Sequence, residues 1–288
     1  MKIAYSSDFH IDASQKNREA VHKIVRIIGE AEPDVIVIAG DVGNTLVSLE
    51  DTLALLSHLN VPKLFVAGNH DVWIEKTNDG HVIDSRRKYD TEIPRACRRT
   101  GFCDLTREPR VIDGVGFAGS LGWYDYSFAD SRLGLTHDQY WQGRYQDEIW
   151  WDKDMALWPP AVSKTGMPSE RLRDPEVCRE LTGRLERHVA ALERRADEII
   201  VVIHTLPFLV TLPRSEPPKY LDAFTGSEVL GRMLESHSRV THCIGGHKHL
   251  SGDWRIGHVW AHRRTLGRVD TDTPVDVYAR RAVGVITI

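Results

Sequence analysis

Apolar residues along this chain come in short blocks that stop abruptly at polar ones. Residues 63–67 (KLFVA) run straight into Gly68-Asn69-His70-Asp71. Leu64, Phe65 and Val66 favour pleated structure and predict a buried strand. Gly68 then lets the backbone turn sharply at no steric cost. Residues 2–6 (KIAYS) predict another strand, ending at Asp8-Phe9-His10. Residues 34–39 (DVIVIA) form a continuous apolar run, the pattern of a strand buried on both faces. They empty into Gly40-Asp41-Val42-Gly43-Asn44. Between these strands, Val21, Ile24, Val25 and Ile28 mark a helix capped by Asn17 and ending near Pro33. Leu49, Leu53, Leu56 and Leu59 mark a second helix. The pattern is β-α-β-α-β, with parallel strands that discharge polar residues at one end of the sheet.

Further along, residues 74–110 read as polar and irregular, with a short helix over 93–99. Val111-Ile112 and Val115-Gly116-Phe117 flank Asp113-Gly114, a hairpin signal that opens a second, antiparallel block. Residues 123–175 hold Trp123, Trp141, Trp150, Trp151 and Trp158 without any sustained period. This aromatic-rich excursion lies over the core, either as a packed elaboration or as a lid or substrate wall. Residues 176–195 predict a long helix with Val177, Leu181, Leu185, Val189 and Leu192 on one face. Residues 198–203 (EIIVVI) predict a strand ending at His204, followed by a proline-rich loop over 205–218. Thr225 is placed to cap a helix carrying Val229, Leu230, Met233 and Leu234. Residues 240–244 lead into Gly245-Gly246-His247-Lys248-His249, and stretches at 254–256, 258–261 and 283–288 are expected to complete the second sheet. With no repeat or linker, residues 1–288 are expected to form a single domain.

Composition narrows this picture only a little. Hydrophobic residues at 41% and charged residues at 27% are ordinary for a soluble globular chain. A net charge of −4 argues against a partner of extended nucleic acid. Cys97, Cys103, Cys178 and Cys243 contain no Cys-x-x-Cys pair, so free thiols are expected rather than a zinc ribbon or redox motif. The first apolar run is broken by Asp8 and His10, unlike a signal peptide, and no apolar run is long enough to span a bilayer. A cytoplasmic protein with no membrane partner is the expectation, its oligomeric state left open.

The chemistry lies in five polar turns that follow five strand candidates. They are Asp8-x-His10, Gly40-Asp41, Gly68-Asn69-His70-Asp71, His204 and Gly246-His247-x-His249. Carboxylate, imidazole and amide groups are the ligands that suit Zn, Mn or Fe. Spacing by two points both side chains of a pair the same way in extended backbone. Seven such groups exceed what a single ion takes from protein, and match two ions sharing one carboxylate.

The order DxH, GD, GNHD, H, GHxH resembles that of the calcineurin-like metallophosphoesterase superfamily, from Asp8 to His249. The resemblance implies a four-layer α-β-β-α sandwich of two mixed sheets with a binuclear metal site on one edge. It implies that Asp8, His10, Asp41 and His249 hold one ion, and that Asp41 bridges to a second held by Asn69, His204 and His247. His70 is then the general acid or a stabiliser of transition-state charge, and Asp71 orients it. Two divalent ions, Mn ahead of Fe and Zn, would sharpen a bridging water into hydroxide that attacks phosphorus. The turn after Asp41 lacks the Asp-Arg of protein Ser/Thr phosphatases, and Asp71 stands where those enzymes carry Glu. Hydrolysis of a small phosphodiester, with a nucleotide-like substrate in view, leads the reading. A phosphomonoesterase on nucleotides or small metabolites follows, and a non-catalytic binding scaffold on the same fold comes last.

Overall fold

The computed structural model describes residues 1–77, 79–161, 171–213 and 215–288. Two sheets stack face to face. The first has five strands in the order Gly284–Thr287, Lys2–Ser6, Val35–Ile38, Lys63–Phe65 and Phe102–Asp104. The Gly284–Thr287 strand runs antiparallel to Lys2–Ser6, and all the other pairs are parallel. The second has six strands in the order Gly252–Ile256, Val259–Arg263, Val240–Gly245, Glu198–Ile203, Val115–Ser120 and Arg110–Ile112. Its four inner strands are parallel and its two edge strands antiparallel.

The apolar runs are continuous because both faces of the central strands are covered. Between the sheets, Ile3, Tyr5, Val35, Val37 and Leu64 pack on Phe117, Ile200, Val202 and Ile244. On the outside of the first sheet, Ile36, Ile38 and Phe65 share a cluster with Val21, Ile24, Ile28, Leu49 and Leu53. These come from the helices Gln15–Glu30 and Leu46–Ala54. Outside the second sheet, Val201 and Ile203 meet Leu185, Val189, Leu230 and Leu234 of the helices Asp174–Leu192 and Glu228–Ser236. Helix, sheet, sheet, helix is the four-layer sandwich that the resemblance implies.

Several expectations need correction. The second block is not antiparallel at its centre: only the Asp113-Gly114 hairpin and the Gly252–Ile256 edge are. The last strand joins the first sheet rather than the second, pairing Lys2 with Thr287 and Tyr5 with Gly284. A Cβ at Gly284 would sit 2.2 Å from Tyr5 Cζ, so only glycine lets the strand close on that ring. Residues 74–110 are more ordered than their polarity suggests, and include the first-sheet strand Phe102–Asp104. The helix Val275–Arg281 carries no periodic signal strong enough to have been read. Ser14, not Asn17, caps the first helix, and Ser227, not Thr225, caps Glu228–Ser236. Asn17 is buried and donates to the carbonyls of Phe9 and Gly267. All four cysteines are free thiols.

Most of the rings in the described part of the aromatic stretch are core, not surface. Trp123, Tyr124, Tyr126, Tyr140 and Trp158 are buried in the cluster that also covers the first sheet. Trp150 stacks on Phe224 at 5.2 Å, whereas Trp151 lies on the rim. Residues 162–170 of this stretch lie outside the described residues.

Candidate metal centre

Parallel strands bring their carboxyl ends to one edge, and the five polar turns gather there. The turns are tied to one another by backbone. Asp8 N–H donates to Gly40 O, His10 N–H to Asp41 O, and Gly246 N–H to His204 O. Asp8, His10, Asp41 and His247 all adopt positive φ, between 42° and 69°. L-residues rarely hold that conformation, and four of the eight non-glycine residues that do so among the described residues lie in these turns. Two glycines are dictated by crowding. A Cβ at Gly68 would lie 2.1 Å from Asp41 Oδ1, and one at Gly246 would lie 2.7 Å from Asp8 Oδ2.

All seven expected ligands converge. His10 Nε2 lies 2.9 Å from His249 Nε2 and 3.7 Å from Asp41 Oδ2. Asp8 Oδ1 lies 3.5 Å from His249 Nε2. On the other side, His204 Nε2 is 3.3 Å from Asp41 Oδ2 and 3.2 Å from Asn69 Oδ1. His247 Nδ1 is 2.9 Å from the same Asn69 oxygen. Donor atoms close enough to share an ion form the triads Asp8/His10/His249 and Asp41/His204/His247, with Asp41 also grouped with His10 and His70. The far nitrogens of two rings are anchored: His204 Nδ1 pairs with Ala39 O at 2.7 Å, and His247 Nε2 with Phe224 O at 3.1 Å. Such outer bonds fix the tautomer and aim the inner nitrogen.

Electrostatics define what this cage can take. Asp8 and Asp41 are buried, and among the described residues their ionic partners are all histidines. Burial pushes the Asp8 carboxyl up, but contact with His249 and the charge of His204 outweigh it and bring it to about 2. Burial also opposes ionisation of Asp41, and His204 and His70 overcome it. His204 is raised to about 10, against its burial, by Asp41. Burial keeps His247 neutral, at about 3, and lowers His10. Ionised carboxylates beside imidazoles and an amide oxygen, with no lysine or arginine head group paired to them, fit a pair of divalent cations, whose binding would displace the proton that Asp41 draws onto His204.

The expected role of Asp71 is not what the structure shows. Asp71 does not touch the His70 ring. Its carboxylate accepts from the backbone N–H of Gly68, Asp41, Val42 and Gly43, at 2.7–3.1 Å. It clamps the two ligand turns together. The partner of His70 is Asn44, whose Oδ1 lies 3.0 Å from Nδ1. The His70 ring also stacks on Trp73 at 3.9 Å, and its backbone N–H donates to Asp41 Oδ1. Burial holds His70 at about 4.

Sequence reasoning missed Asn44, Trp73, Asp152 and Lys88. The Arg86-Arg87-Lys88 run reads as solvated surface, yet Lys88 is fully buried and donates to the carbonyls of Asn44 and Trp73, with Glu75 as its ion partner. Lys248, between the two ligand histidines, pairs with Asp222. His262 engages His242 and Asp253 rather than the cage. Beside His10 and His70 a cleft of about 330 Å³ opens, lined further by Asp12, Asn44, Trp73 and Arg268.

A family model described as calcineurin-like phosphoesterase matches residues 1–251. Among solved structures, a phosphopantetheinyl hydrolase from Mycobacterium tuberculosis superposes with a TM-score of 0.69 at 17% identity, over 92% of this chain and 89% of that one. A dimetal phosphatase from Danio rerio superposes with a TM-score of 0.53 at 12% identity, over 91% and 86%. At such identities these likenesses concern the fold.

Proposed function

The chain belongs to the calcineurin-like phosphoesterase family, whose members hydrolyse phosphoesters with metal ions, and on that premise we propose that it cleaves a small-molecule phosphodiester. Asp8, His10, Asp41 and His249 would hold one divalent ion, and Asp41, Asn69, His204 and His247 would hold the other. The observation that carries this reading is the convergence of six donor side chains around a seventh, the buried, ionised Asp41. When bound, a divalent pair supplies Lewis-acid charge to phosphoryl oxygens and lowers the pKa of the attacking water.

The chain's own residues do the rest. Asp41 faces both halves of the cage and sets their spacing. Asp71 clamps the turns that carry Asp41 and Asn69. With His70 Nδ1–H donated to Asn44, Nε2 is the atom left to carry a proton to the leaving oxygen. Burial keeps that imidazole neutral in the free protein, so an anionic phosphate beside it is what favours the protonated, acid form.

The cleft supports a diester over a monoester. Away from the cage its charged lining is one cation, Arg268, and one anion, Asp12, so its walls add no surplus positive charge for the second negative charge of a monoester. The tryptophans of the aromatic stretch are not its walls; Trp73 is the aromatic ring that lines it. A nucleotide-like substrate therefore rests on Trp73. The test is turnover with Mn²⁺ of bis-p-nitrophenyl phosphate beside p-nitrophenyl phosphate. Preference for the diester is expected. Preference for the monoester overturns the substrate assignment, and metal binding without any turnover points to the non-catalytic scaffold.

A further inference from the structure

We infer that Asp152 is a positioning residue for this site, an inference that rests on the reading of Asn69 as a metal ligand. Asp152 begins the short helix Asp152–Met155 inside the aromatic stretch, and it is 2% exposed. Its Oδ1 accepts from Asn69 Nδ2 at 3.0 Å and from Trp73 Nε1 at 2.7 Å. Its Oδ2 accepts from the Tyr124 hydroxyl at 3.4 Å, and that hydroxyl accepts from Trp150 Nε1.

The two ends of a side-chain amide are nearly equal in size, and only the oxygen end serves a cation. A carboxylate accepts but cannot donate, so it selects the amide nitrogen. Anchoring Nδ2 to Asp152 turns Oδ1 the other way, where it meets His204 Nε2 and His247 Nδ1. The same Asp152 oxygen holds Trp73, whose ring stacks on His70. One buried carboxylate thus orients a ligand on one side and the ring beside the proton carrier on the other. The aromatic stretch is the frame that delivers it.

Two substitutions in the full chain separate orientation from packing. Asp152→Leu removes both acceptors while keeping the number and branching of the side-chain heavy atoms. Asp152→Asn keeps an acceptor for Asn69 and Trp73, and turns its own NH₂ to the Tyr124 hydroxyl. Equilibrium dialysis against Mn²⁺, with bound metal counted by atomic emission, reads the outcome. Wild type is expected to hold two ions. Asp152→Leu should keep the first and bind the second about 10- to 100-fold more weakly, while Asp152→Asn stays near wild type. Unchanged binding of both ions by Asp152→Leu overturns the inference, as does equal impairment of the two variants. Wild type binding no ion removes the metal reading itself, and this inference with it. If Asp152→Leu gives no cooperative melt, Asp152→Ser takes its place with the same expectation. If that variant also fails to melt cooperatively, Asp152 is a core residue and the assignment falls.

Discussion

The two halves of the cage are held to very different degrees. His249 on the Asp8–His10 side is 39% exposed, and its Nε2 faces another imidazole. His204 on the Asp41–Asn69 side is fully buried. Its ring and that of His247 are anchored to backbone carbonyls, and Asn69 is anchored to Asp152. The cleft opens beside His10, not beside His204. A preorganised half loses little on binding an ion, whereas a half with an exposed ligand has side-chain freedom left to lose. On the proposed reading, the comparison teaches that the buried half would keep its ion and the exposed half would be the one to trade ions with solvent.

The most damaging change should be at the residue both halves share. Asp41→Ala is expected to release both ions and lower kcat/KM by roughly a thousandfold or more; two ions still bound in that variant would break the comparison at its root. His70 belongs to neither proposed ligand set, and His70→Ala should cut kcat by about a hundredfold or more. Its metal content should stay at the wild-type level, and loss of an ion would make His70 a ligand. His204→Ala and His249→Ala set the halves directly against each other. Challenged with a chelator, the His204 variant should surrender the ion of the buried half about tenfold faster than the His249 variant does. Equal rates would dissolve the distinction.

The mildest prediction sharpens what positive charge does for a buried carboxylate. Asp8 is held at about 2 by histidines around it. Asp104 is also buried, but among the described residues only the Thr106 N–H and O–H support Oδ1, and Oδ2 has no hydrogen-bond partner. Burial pushes its carboxyl up to about 6. In the unfolded chain the group titrates near 3.9. Its stabilising contribution is therefore complete below about pH 4 and is lost as pH rises through 6. Asp104→Asn should raise Tm by a few degrees at pH 7 relative to wild type, with the gain shrinking toward pH 4. No gain at pH 7 would show that Asp104 is charged at little cost.

The strands and ligand turns were legible because each signal is local: an apolar run, a glycine, then a donor group. Residues 63–71 contain the Lys63–Phe65 strand, the turn and its ligand within nine positions. What sets those donors was not legible, because its partners are distant in sequence. Asn69 is oriented by Asp152, and Asp71 serves backbone some thirty positions earlier. The resemblance implied Asp71 as the residue that orients His70, yet the Asp71 carboxylate is taken up by backbone N–H groups and the hydrogen bond of the His70 ring goes to Asn44. The same blindness misplaced the last strand. Its alternation fits either sheet, and only the space that Gly284 leaves for Tyr5 decides between them. Lys88 looked solvated because a charge run usually is, and nothing nearby announces two carbonyls to hold.

One feature of the cage bears on how the protein comes into being. His10 meets His249 across 239 positions of chain, so the Asp8–His10 half cannot close while the ribosome is still adding residues before 249. Asp8, His10, Asp41 and Asn69 emerge early and must wait as bare donors. On the proposed reading, metallation would be a late event in the life of each molecule, and refolding with or without Mn²⁺ should share its early phases and part only at the last.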